Sequence, residues 1–217
     1  MKRIMILFLC ATMLSSCSLA QKLGFDTYDY MSEKVVYLHD KNGNVAVAVS
    51  EILGILTTDS IELPTFENMT DAIREYRDAV LTYMLETNYL KYSGNTDLIE
   101  RAAREYPQYN ITQIIPQIEF EATMYRYFGG NVKITHRDGG KFKYLSGIGA
   151  YISPIIPSPD ILKTEITYIG ETEKTYRVKF HVHSDIARSD EYFALIIKRD
   201  DGTLYIKKLL KSADLKY

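Results

Sequence analysis

The chain has 217 residues, of which 46% are hydrophobic and 25% charged, with a formal net charge of −2. Its 26 basic residues do not exceed its 28 acidic ones, which excludes the concentrated basic surface of a general nucleic-acid binder. Its two cysteines, Cys10 and Cys17, leave nothing beyond position 17 for disulfides, thiol catalysis or thiolate metal sites.

Residues 1–16, MKRIMILFLCATMLSS, place Lys2 and Arg3 ahead of an apolar run from Ile4 to Leu14, the layout of a secretory leader. As a helix that run rises about 16 Å, roughly half the hydrocarbon thickness of a bilayer, so a permanent span is not expected. Two cleavage readings stay open. Ser18 and Ala20 have the small side chains an ordinary signal peptidase needs, which would release a soluble secreted or periplasmic chain starting at Gln21. The string Leu14-Ser15-Ser16-Cys17 instead resembles the lipobox of bacterial lipoproteins. That resemblance implies acylation of the Cys17 thiol, removal of residues 1–16 and a membrane anchor in the cell envelope, on the outer membrane in a Gram-negative cell. Multiple acyl chains, at about 0.8 kcal/mol per buried methylene, hold a protein on a membrane durably.

Residues 17–32 read as a tether without period, followed by one α+β domain over residues 33–217. KVVYLHD and NVAVAVS around KNG predict a hairpin over residues 34–50, with a helix starting at Asn44 as the alternative. Three helices are expected within residues 67–128. In the first, residues 67–91, Ile73, Tyr76, Val80, Tyr83 and Met84 share a face. The second is DLIERAAREY, capped by Thr96, with Leu98, Ile99, Ala102 and Ala103 inward. In the third, residues 117–128, Ile118, Phe120, Ala122, Met124, Tyr127 and Phe128 predict a broad apolar face, ended by Gly129 and Gly130.

From residue 131 to 211 the period changes to two. NVKITH and KFKYLS, KTEITYIG and TYRVKFHVHS, then EYFALIIKR and TLYIKKLL predict three hairpins. The expected architecture is helices packed on a curved antiparallel sheet of four to six strands, cystatin-like or NTF2-like in outline.

Candidate chemistry is sparse. His181 and His183, in FHVHSD, alternate onto one strand face as a chelating pair must, but share it with Arg177 and Lys179, whose charge opposes a divalent cation. His136 and Asp138 lie beside Gly139 and Gly140, where Asp138 reads first as a turn residue. Glu119 and Glu121, two apart on a helix, do not face one another and are expected in solvent. No nucleophile elbow, phosphate loop or His-Glu-x-x-His motif occurs. In GIGAYISPIIPSPDIL, three of the six prolines accompany Tyr151, Ile152, Ile155 and Ile156, which gives either a crossover packed on the sheet or a stiff partner-binding loop. Asp59-Ser60-Ile61 resembles a bacterial O-glycosylation acceptor, which makes Ser60 a candidate.

The expectation is a lipid-anchored envelope protein with a non-catalytic binding domain. It needs no cofactor, and its partners are the membrane, through its lipid, and an envelope protein or glycan. An envelope hydrolase of glycan or peptide is the competing class.

Overall fold

The structure is a computed structural model that describes residues 28–58, 60–130, 132–153 and 162–215. Contacts divide the chain into Met1–Lys34 and Val35–Tyr217. In the first unit, Tyr28 and Tyr30 meet edge to face at 4.7 Å, and the Ser32 N–H closes a turn on the Asp29 carbonyl at 3.2 Å. Cys17 and the leader lie outside the described residues.

The second unit is α+β. Strand β1 (Tyr37–Leu38) leads into helix α1 (Asn44–Leu53) and a 3-10 turn at Gly54–Leu56. Then come α2 (Met69–Thr87), α3 (Tyr89–Ser93), α4 (Thr96–Glu105), β2 (Ile114–Pro116) and α5 (Gln117–Phe128). Strands β3 (Lys143–Leu145), β4 (Ala150–Ile152), β5 (Lys163–Glu171), β6 (Thr175–His183), β7 (Tyr192–Lys198) and β8 (Leu204–Lys211) complete it. Two antiparallel sheets result, one in the order β1-β5-β6-β7-β8 and a smaller one in the order β2-β4-β3.

The two C-terminal hairpins form as the alternation predicts. The β7–β8 turn uses Gly202 at φ 81°, and the Asp201 carboxylate accepts from the Thr203 N–H at 2.9 Å. On the inner face, Val178, Phe180, Val182, Tyr192, Ala194, Ile196, Ile206 and Leu209 are buried in one core with Tyr76, Val80, Met84, Phe120, Met124 and Phe128 of α2 and α5. Phe66, Tyr76 and Phe128 interlock there with ring centroids 5.5–5.8 Å apart. A second cluster joins Ala102 of α4 to Ile111, Ile114, Leu145, Ala150 and Ile152 under the small sheet.

Several expectations need correction. Residues 34–50 are not a hairpin: only Tyr37–Leu38 pairs, and the helix alternative from Asn44 holds. As a helix, α1 buries Ala46, Val49, Ile52 and Leu53 on one stripe and leaves Val47 exposed, whereas a strand would have split them between two faces. The hairpin expected over residues 131–146 does not form among its described residues either: β3 pairs with β4, and residues 132–138 run as a loop. The α5 face is also narrower than expected. Phe120, Met124 and Phe128, four apart, are buried, but Ile118 is 71% exposed and Ala122 is exposed as well. The α2 pattern stops at Asn88, and Asn95 rather than Thr96 precedes α4, where Ala102 is buried and Ala103 is not.

The C-terminus of α5 is locked to the sheet. Gly129 holds φ 69°, and a Cβ there would stand 2.5 Å from the Tyr205 ring. The Arg199 guanidinium lies over that ring at 4.6 Å and donates to the carbonyls of Tyr125 (2.8 Å) and Arg126 (3.2 Å), a cation on the helix's negative end. Gly129→Ala combines left-handed strain with this clash, so a loss of upwards of about 1 kcal/mol is expected by urea unfolding. An unchanged midpoint would refute the lock.

Candidate functional site

Two partly buried histidine clusters concentrate the polar chemistry of the described residues. The first forms where α5, the loop at residues 132–138 and β4 meet. His136 Nε2 lies 2.7 Å from Glu121 Oε1, and its Nδ1 lies 2.9 Å from the Tyr151 hydroxyl. An ionised carboxylate only accepts, so Nε2–H donates to Glu121, and Nδ1 accepts from the Tyr151 O–H. The ring stacks on Tyr144 at 5.0 Å, with Phe120 edge-on at 6.2 Å, and the Tyr144 hydroxyl donates to Gln117 Oε1. Burial pushes the Tyr151 phenol up to about 12, which keeps it neutral and donating.

This carboxylate–imidazole–phenol chain has the components of a proton relay, but its phenol end is closed. Tyr151 is 0% exposed and the His136 side chain only 10%, whereas the Glu121 side chain is 30% exposed, so the chain meets solvent at its carboxylate end. The chain works as a polar pin between three elements. Asp138 is a turn residue as expected: its carboxylate accepts from the Tyr144 N–H at 2.9 Å and the Lys143 ammonium at 3.0 Å, contacts that hold it below the usual carboxylate range. Its glycine neighbour lets two side chains of α2 approach closely. A Cβ on Gly139 would stand 2.3 Å from both the Arg77 guanidinium and the Asp78 carboxylate.

Glu121 and Glu119 are therefore not simply solvent-facing. Glu119 accepts from Lys91 Nζ at 2.6 Å and from the Tyr92 hydroxyl at 2.9 Å, which ties α3 to α5. Side chains two apart on the helix serve different neighbours, in keeping with the geometry that stops them facing each other.

The second cluster sits at the rim of the large sheet. Tyr37, Glu171, Tyr176 and Ile196 face one another in register across β1, β5, β6 and β7. Glu171 binds His39 Nε2 through one oxygen at 2.6 Å and Lys198 Nζ through the other at 2.7 Å. Lys198 also donates to the Thr172 carbonyl at 2.8 Å and lies over the Tyr176 ring at 5.1 Å. The Lys198 ammonium, and after it the His39 ring, hold the Glu171 carboxyl below its ordinary 4.5. His39 follows β1 directly and packs edge-on against Tyr37 at 4.7 Å. The rim cluster thereby clamps a strand whose own side chains are open: Val36 is 73%, Tyr37 60% and Leu38 63% exposed. The strand itself was expected from KVVYLHD, but neither its pairing with β5 nor the clamp was identifiable in the sequence, because Glu171 and Lys198 lie far from His39 along the chain.

The remaining candidates fall elsewhere. Tyr151 and Ile152 are not part of a sticky loop. Both lie on β4, the middle strand of the small sheet, at 0% and 2% exposure, so their side chains are closed to a partner. Ile155 and Ile156 lie outside the described residues. His181 and His183 share the polar face of β6 with Arg177 and Lys179, as the alternation implies. His181 Nδ1–H donates to the Ser189 carbonyl at 3.0 Å, and His183 faces Lys163 in register and bridges to Arg188. Among the described residues no three His, Cys, Asp or Glu side chains converge as a metal set, so the pair lacks further ligands. Ser60 is exposed, and its hydroxyl accepts from the Glu62 N–H at 3.1 Å. No family model, curated protein or solved structure matches the chain.

Two substitutions separate the clusters. Tyr151→Phe leaves the buried His136 Nδ1 without its donor, and a loss of roughly 1–3 kcal/mol is expected in denaturant unfolding; no change would mean that the pin is idle. For Glu171, a folded pKa below the unfolded one means stabilisation that is present above pH 4.5 and disappears as pH falls through the folded value. Glu171→Gln is expected to be less stable than the parent by under about 1 kcal/mol near neutrality, since the group is partly exposed. That gap should close in acid. Equal gaps at both pH values would refute the clamp.

Proposed function

We propose that the chain is a lipid-anchored protein of the cell envelope whose α+β body binds a partner and catalyses no reaction. The observation that carries this reading is the string LSSC, residues 14–17, behind a basic and apolar leader and ahead of a body without any further cysteine. A single cysteine at that boundary has a chemical use only if its thiol is modified there. No helix among the described residues is long and apolar enough to cross a membrane, which fits an anchor made of acyl chains.

Binding is favoured over catalysis by how the titratable groups are used. His136 has both ring nitrogens engaged, Tyr151 is buried, and the Glu171–Lys198–His39 cluster is spent on mutual contacts. In these two clusters the groups that could move a proton serve as structural ties. The partner classes remain an envelope protein or a glycan, met by the open surface of the body.

The test is Cys17→Ala in the native host. The parent is expected in the membrane pellet with acyl mass on Cys17, and the variant in the soluble fraction. Parent material starting at Gln21 without acyl mass would overturn the anchor and make the chain a secreted protein. A variant that still pellets would show that something other than lipid holds it.

A further inference from the structure

Residues 94–113 join two fixed points of the fold. On one side α3 is pinned to α5, because Glu119 accepts from both Lys91 Nζ and the hydroxyl of the buried Tyr92. On the other side β2 is held in the small sheet, with Ile114 opposite Ile152 and Ile115 opposite Tyr151. The alternation of these strands divides the sheet between two cores. Ile115 and Tyr151 belong to the main core, whereas Ile114, Leu145, Ala150 and Ile152 join the separate cluster that contains Ala102 of α4.

The segment between these points is lightly held. Within α4, Ala102 is buried, Leu98 and Ile99 are half-buried, and the other residues are exposed. Its ion pair, Arg101 to Glu105 at 2.9 Å, closes within the helix. The hydrogen bond that fastens the segment to the β3–β4 turn runs from the Gly147 N–H to the Tyr106 hydroxyl at 3.2 Å, on the surface. At the far end Gln113 is 2% exposed, and among the described residues neither its amide oxygen nor its amide nitrogen has a hydrogen-bond partner. A buried carboxamide in that state carries a desolvation cost that contact with water removes. Little apolar area therefore holds the segment down, and Gln113 favours its release.

We propose that residues 94–113 form a strap that comes off the small sheet as one unit while the main core stays closed, with the Gln113 amide biasing it toward opening. Opening breaks the Tyr106 latch and exposes Ala102 and Ile111, but leaves the burial of Val80, Met84, Phe120 and Met124 intact. The open state bares Ile114, Leu145, Ala150 and Ile152, an apolar strip that the closed state hides. This inference goes beyond the proposed anchor and does not depend on it.

The experiment is native-state hydrogen exchange on the full chain, read by mass spectrometry. The amides from Ile99 to Tyr106 are expected to share one level of protection, roughly a hundredfold below that of Val80–Leu85 in α2. Gln113→Met keeps the length of the side chain without its polar atoms, and is expected to slow exchange of the strap roughly tenfold. Ala102→Gly weakens α4 and its buried contact, and is expected to speed that exchange several-fold. Ile196→Val trims the main core on β7, where Ile196 is 0% exposed. It is expected to speed exchange of α2 and α5 several-fold and to leave the strap as in the parent, since the strap opens without that core. Exchange of α4 in step with α2, protection graded from the ends of α4 in place of one shared level, a strap that follows α2 in Ile196→Val, or strap exchange that Gln113→Met leaves unchanged or speeds would overturn the proposal.

Discussion

Burial of the inner face of the large sheet under α2 and α5 is the contact on which the rest of the molecule depends. Every residue of β7 from Tyr192 to Ile197 is buried, on both faces of the strand. On the inner face, Tyr192, Ala194 and Ile196 join the core that Phe120, Met124 and Phe128 close from above. On the outer face, Phe193, Leu195 and Ile197 are flanked in register by Lys179 and Leu210, Arg177 and Lys208, and Thr175 and Tyr205. A strand without a polar face has to be central, and its centrality sets the order of the strands around it. The two edges of the sheet are therefore β1 and β8, and the polar clusters lie at its rim or in the loops around the helices that cover it.

Legibility in the sequence followed the range of the contacts involved. The hairpins β5–β6 and β7–β8 were readable because alternation and turn residues are local properties, and the bounds of α5 were readable from Pro116 and Gly129. Residues 44–53 were not settled, since Val45, Val47 and Val49 fit a strand as well as a helix. The decision came from the core, which takes Ala46, Val49, Ile52 and Leu53 together. Likewise β4 took Tyr151 and Ile152 into the small sheet, where proline-rich surroundings had suggested a loop. The partners of His136 and His39 depend on approaches between distant segments, which periodicity does not encode.

The two histidine clusters solve one problem in different ways. A side chain with hydrogen-bonding capacity that lies in or near the core must be satisfied, or it costs on the order of 1–3 kcal/mol. His136 is satisfied by a carboxylate on one nitrogen and a phenol on the other, with aromatic rings on its faces, and the result is a rigid joint. Glu171 instead draws a lysine and a histidine toward the rim, and the result is an anchored edge. In both cases the ring nitrogens or carboxylate oxygens are used in contacts that join separate elements of the fold.

The edges of the large sheet differ in a way that bears on assembly. At β8, Phe66 exchanges backbone hydrogen bonds with Leu209 at 2.9 and 2.8 Å, and Glu67 pairs with Lys208 at 2.9 Å, so a short segment already occupies that edge. At β1 the defences are brevity and the charges that bracket it, Lys34 before and Asp40 after. A sheet open at both ends adds copies without limit and grows into a fibre. Here the Phe66 segment pairs at one edge, so head-to-tail addition of sheets through both edges is opposed. The charges that bracket the strand add to this, because an incoming strand pairs there only if it presents opposite charges at both flanks.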